Sequence, residues 1–170
     1  MHEPGVLILS ETDIQNTACL TLEKLVPKDF LFSQLIDTQR TVENSLKDFL
    51  GTAQARQPLL IICCGNTSGS GWRYAKGNGH YPYKRFAKIL QQHDYHTILV
   101  VNAVTNGDSL WQHLEPITPA HVGLIAPSGH ATGTDLLRRL IAYWSRGQTL
   151  PDSGNQVSFH GAELQQLFLR

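Results

Sequence analysis

The stretch LLIICCGNTSGSG, residues 59–71, decides how the rest of the chain is read. Leu59–Cys64 is a continuous apolar run without polar alternation, the pattern of a strand buried on both faces. The run opens directly into glycine-rich sequence, and the five glycines within residues 65–80 predict a long loop there. In α/β proteins the carboxyl end of such a strand is where chemistry gathers. Cys63, Cys64 and the loop are therefore a candidate nucleophile, a candidate phosphate cradle, or a site emptied of its chemistry.

Outward from this strand, apolar runs predict further strands at residues 6–9, 29–37, 96–103 and 121–127. Helical spacing of Ala18, Leu22 and Leu25 predicts a first helix, ended by Pro27. Thr41 precedes a second, with Val42, Leu46, Phe49 and Leu50 on one stripe and Gly51 closing it. A third spans residues 81–93 with Tyr83, Phe86 and Leu90 facing inward, and a short fourth spans 107–116. Leu137, Leu140, Ile141 and Trp144 define a fifth. Strand and helix alternate five times, which calls for a parallel sheet covered on both faces and joined by right-handed crossovers. The expected architecture is a doubly wound α/β fold, a five-stranded parallel sheet in the order 2-1-3-4-5. Its crevice would lie at residues 10–13, 63–66, 102–105 and 126–128. Residues 1–147 form this domain. Residues 148–170 are read as a turn-rich linker, over 148–155, and a C-terminal helix over 162–169.

Bulk properties narrow the function classes. The 170 residues suffice for one domain with a proper core. Fourteen basic and fourteen acidic residues cancel, whereas a domain that grips nucleic acid by itself usually shows a basic excess. No apolar run approaches the ~20 residues that span a bilayer, and the N-terminus lacks the basic start of a signal peptide. The three cysteines, Cys19, Cys63 and Cys64, follow no framework spacing and suggest a reducing, cytoplasmic setting. The expectation is a cytoplasmic protein without a membrane partner.

The pieces TILVVNAVTNGDSLWQHLEP (residues 97–116) and HVGLIAPSGHATGTDLLRRLIAYWSRG (121–147) resemble the last two strand–helix units of response-regulator receiver domains, the CheY-like fold. More narrowly, residues 5–150 resemble the atypical receivers of LuxR/FixJ-type transcription regulators of curli and biofilm-matrix genes. That resemblance implies a phospho-acceptor aspartate after strand 3, an acidic pair after strand 1 holding Mg²⁺, a hydroxyl residue after strand 4 and a lysine after strand 5. At the matching positions this chain has Ser10 and Glu11 for the acidic pair, with Asp13 near, and Cys63 or Cys64 for the aspartate. It has Asn102 for the hydroxyl residue and Ala126 for the lysine, while Pro127 keeps the proline that follows. No acceptor carboxylate, a depleted ligand set and no lysine counter-charge imply a pseudo-receiver: not an enzyme, without a cofactor, independent of phosphorylation.

Some receivers of this group bind cyclic di-GMP through a W-x-[ST]-R motif after helix 5. The corresponding residues 149–152 read TLPD, and Trp144-Ser145-Arg146 is one residue short, so the motif is absent. Trp144 also fits the buried stripe of helix 5. The resemblance implies a homodimer, with Trp144, Leu164, Leu167 and Phe168 as candidate contacts. DNA would be reached only through a helix-turn-helix that these residues do not contain.

Rival chemistries are weaker. A P-loop needs lysine where Trp72 stands. An anion nest or partner contact at Gly65, Asn66, Gly69, Gly71, Trp72 and Arg73 stays open, as does a small flavodoxin-like enzyme or ligand-binding protein using this loop and Cys64. Ser128-Gly129-His130 resembles the histidine loop of caspase-like peptidases, which place the nucleophilic cysteine after a later strand; no cysteine follows Cys64. The scattered histidines lack a carboxylate or cysteine to complete a metal set. RYAKGNGHYPYKR (residues 73–85) joins basic and aromatic residues in a manner seen in nucleic-acid grips, set against a zero net charge.

Overall fold

The computed structural model describes residues 5–11, 31–53, 59–93, 97–116, 122–127, 133, 136 and 157–161. Through them run β1 (Gly5–Ser10), β2 (Leu31–Leu35), α1 (Gln39–Thr52), β3 (Leu59–Cys64), β4 (Gly71–Arg73), β5 (His80–Pro82) and α2 (Tyr83–Gln91). There follow β6 (Ile98–Ala103), a 3-10 turn (Gly107–Leu110) continuing into α3 (Trp111–Leu114), β7 (Val122–Pro127) and β8 (Val157–His160). The fold is α/β. Its main sheet has six strands in the order β2-β1-β3-β6-β7-β8, and β4 and β5 form a separate two-stranded sheet. Pairing from β2 through β7 is parallel, and β8 runs antiparallel to β7.

The expected sheet is corrected in count and order. Val157–His160 fell in the expected tail but forms the sixth strand, with Ala126 opposite Ser158 and Pro127 opposite Val157. The expected loop over 65–80 contains the antiparallel β4–β5 pair, with Trp72 opposite Tyr81 and Arg73 opposite His80. Asn78-Gly79 and Gly77, at φ 84°, supply the turn between them.

Side-chain alternation splits the sheet residues into two sets. Leu7, Leu9, Leu59, Ile61, Cys63, Ile98, Val100, Val122 and Leu124 pack with the inner stripes of α1 and α2 and with the hairpin aromatics in one core. Their alternates Val6, Ile8, Leu60, Ile62, Cys64, Leu99, Val101 and Ile125 are also buried. Both faces are therefore covered, which explains the unbroken apolar runs.

Helix α1 buries Val42, Leu46, Phe49 and Leu50, as its spacing predicts. Its start is corrected: Thr38 is the N-cap, and Thr41 stands three residues in as the far half of a capping box. The Thr38 hydroxyl accepts from Thr41 N–H at 3.2 Å, and the Thr41 hydroxyl accepts from Thr38 N–H at 3.3 Å. Gly51 lies inside the helix, whose C-cap is Ala53. Helix α2 starts two residues later than expected because Tyr81 belongs to β5, but Tyr83, Phe86 and Leu90 are buried. The expected first helix, most of the fifth, the 148–155 linker and the C-terminal helix lie outside the described residues, as do Trp144, Leu164, Leu167, Phe168 and Ser128-Gly129-His130. Gly133 and Leu136 are helical and buried.

Candidate functional site

Parallel register brings the carboxyl ends of the central strands level. Ser10 on β1 stands opposite Cys64 on β3, and Cys64 opposite Ala103 on β6; one residue back, Cys63 faces Asn102. The structure thus brings Ser10, Glu11, Cys63, Cys64 and Asn102 to one sheet end. Ala126 and Pro127 stand two strands from β3, with β8 along their far edge.

Glu11, the one acidic group in a receiver-like position here, is engaged. Its backbone N–H donates to the Cys64 carbonyl at 3.2 Å. Its carboxylate Oε2 accepts from both the N–H and the Nδ2 of Asn66, each at 2.9 Å. Gly65 makes this fit possible. It sits at φ 137°, and a Cβ there would lie 2.8 Å from the Glu11 Cβ. Glu11 therefore fastens the start of the loop, with Asn66 as its partner.

Asn102 is the buried polar side chain among the described residues. Its Oδ1 accepts from Trp72 Nε1 at 2.7 Å, and its Nδ2 donates to the Gly107 carbonyl at 3.0 Å and the Tyr83 hydroxyl at 3.4 Å. Indole N–H can only donate, so the amide orientation is fixed. Thr67 donates to the Gly71 carbonyl at 3.1 Å, so the Tyr83 hydroxyl is the donor in its 3.0 Å bond to Thr67. The chain Trp72–Asn102–Tyr83–Thr67 is a closed polar network inside an apolar core. Around it Trp72 meets Tyr83 and Phe86 edge-to-face, with ring centroids 4.6 and 5.0 Å apart, and stacks on Tyr81. Of the residues expected to make a partner contact, Trp72 is 1 % exposed and Arg73 beside it is exposed.

The loop residues divide. Asn66 and Gly69 are exposed, Gly65 is half-buried and Gly71 buried against β5. At the end of β6, a Cβ on Gly133 would stand 1.8 Å from the Ala103 carbonyl oxygen. Gly133 thus lets the next helical turn rest directly on this strand end, and the alternation of apolar residues gave no sign of that approach.

The cysteines also differ from expectation. Cys63 is a free thiol, fully buried, and burial alone pushes its titration far above the ordinary thiol range. Cys64 is disulfide-bonded rather than a reduced thiol. Neither offers a ready thiolate at neutral pH. Among the described residues no three His, Cys, Asp or Glu side chains gather to hold a metal, and no helix is long and apolar enough to cross a membrane. The signal that sequence reading missed was the aromatic spacing Trp72, Tyr81, Tyr83 around Asn78-Gly79, which marks a hairpin whose inner face needs a buried partner. No protein-family model matches this chain, and no curated protein matches it.

Proposed function

We propose that this chain is a non-catalytic pseudo-receiver: a module of signal transduction and transcription regulation, of the LuxR/FixJ biofilm-related type, that works through contacts with a second copy or a partner. The observation that carries the proposal is Asn102. At the place where a receiver keeps the hydroxyl that reads the phosphoryl group, an amide spends its acceptor and both donor directions on Trp72, Gly107 and Tyr83. The neighbouring acid, Glu11, spends an oxygen on Asn66. Ala126, in the lysine position, is buried and brings no charge. The reading is tested by exposing the full chain to acetyl phosphate and Mg²⁺ and weighing it. Unchanged mass is expected; a covalent phosphate overturns the reading.

A second reading is favoured by β8 and the β4–β5 hairpin, which lie outside the five-stranded receiver plan. It is a small flavodoxin-like enzyme or ligand-binding protein using the glycine-rich loop 65–71 and Cys64, with Gly71 at the end of that loop and Trp72 after it held in β4. A thiol-reactivity assay on the native chain at neutral pH separates the readings: no fast-reacting thiolate is expected, and one would favour the second.

A further inference from the structure

Between Asp48 and Asp94 the sequence contains no acidic residue and six basic ones, Arg56, Arg73, Lys76, Lys84, Arg85 and Lys88, in a chain whose net charge is zero. The fold gathers the last five onto one continuous piece. β4 and β5 are joined by the turn that carries Lys76, and β5 runs directly into α2. Trp72, Tyr81, Tyr83 and Phe86 turn inward and anchor this piece, whereas Arg73, Lys76, Lys84, Arg85 and Lys88 are exposed.

The placement of these charges is mixed for the helix that carries them: Lys88 lies in its last turn, the end of the dipole that favours a cation. Lys84 and Arg85 lie in the first turn of α2, which has no acidic residue, at the positive end of the helix dipole. Lys84 and Lys88 form a like-charge pair one turn apart, also unfavourable. Arg85 is held by Glu43 at 2.6 Å, the ion pair found among the described residues, and Lys76 lies within electrostatic reach of Asp37. That leaves Arg73, Lys84 and Lys88 with no such carboxylate among the described residues.

We propose that the outer face of the β4–β5 hairpin and α2 docks an acidic polypeptide segment of a partner protein. Arg73, Lys84 and Lys88, exposed on this face without a carboxylate partner among the described residues, match carboxylates brought from outside. Single-stranded nucleic acid fits less well, because Trp72, Tyr81 and Tyr83 are buried beneath the patch and, of its Trp and Tyr rings, Tyr74 alone is half-buried there. The zero net charge likewise gives a nucleic-acid duplex no long-range attraction. This surface does not depend on the parentage of the strand-end site.

The test is fluorescence anisotropy with the full chain, a labelled decaglutamate peptide, and single- and double-stranded oligonucleotides of matched charge, at about 20 mM salt. Saturable binding of the peptide is expected, tighter than either oligonucleotide. The triple variant Arg73→Gln, Lys84→Gln, Lys88→Gln, all exposed and checked for folding by circular dichroism, should lose about tenfold in affinity. The control Arg40→Gln, Lys47→Gln, exposed cations of α1, should not. Absence of peptide binding, equal loss in the control, an unaffected triple variant, or preference for an oligonucleotide overturns the proposal.

Discussion

Asn102 is the residue on which the strand-end site turns. Its three hydrogen bonds tie β6 to the hairpin through Trp72 and to the following turn through Gly107. Replacing it with leucine leaves the Trp72 N–H and the Gly107 carbonyl buried and unpaired. Each such group costs about 1–3 kcal/mol, so Asn102→Leu should lower stability by roughly 2–4 kcal/mol in urea titration. Tyr81 presents the opposite case. Its hydroxyl is buried without a hydrogen bond among the described residues. Burial first, then the Glu43 carboxylate, pushes its ionisation well above the ordinary tyrosine range. A raised folded-state pKa favours the folded form below the unfolded value and loses that contribution as pH rises beyond it. Alkaline unfolding should therefore set in above about pH 10, with Tyr81 ionising only as the chain unfolds. Tyr81→Phe should weaken that alkaline step and leave neutral-pH stability unchanged or higher; a phenolate absorbance step for Tyr81 in the folded chain would contradict this.

At the scale of elements, the strands were legible because burial on both faces writes itself as unbroken apolar sequence, Leu59–Cys64 above all. Helix α1 was legible in its stripe but not in its start. Thr38 and Thr41 have the same side chain, and only backbone conformation separates cap from first turn; Thr38 is extended at φ −139°. Thr38→Ala should cost about 1 kcal/mol and Thr41→Ala less, because losing Thr38 also removes the acceptor of the Thr41 N–H. Thermal denaturation of both variants checks the order. The hairpin was hidden by its glycines, which read as loop, although Trp72 and Tyr81 are among the largest buried side chains. β8 was hidden by brevity: in VSFH the alternation of apolar and polar residues spans only Val157–His160. What secures it is tertiary, the β7 edge and the stack of His160 on Trp111 with ring centroids 5.1 Å apart.

At the scale of the molecule, the sheet sets Ser10, Cys64 and Ala103 in line, and that convergence followed from the parallel register the sequence implied. What the residues do there did not follow. The sequence shows only which side chains stand at these strand ends. Only the structure says that Glu11 holds Asn66 and that Asn102 holds the hairpin. The cysteine reading failed for a related reason, since odd counts and irregular spacing do not reveal which thiols meet in space. With Cys64 disulfide-bonded and Cys63 free, a thiol reagent added to the denatured, unreduced chain should label Cys63 and not Cys64, as peptide mapping will show. Label on Cys64 would show that the bond does not form.

The most direct measurement is fluorine NMR of beryllofluoride, a phosphoryl mimic, added with Mg²⁺ to the full chain. Only the resonances of free beryllofluoride are expected, because the polar groups of the strand ends are already bonded to one another. Bound fluorine signals that disappear when Mg²⁺ is removed would mean that these groups open to hold a phosphoryl ligand, and would contradict the proposed non-catalytic role.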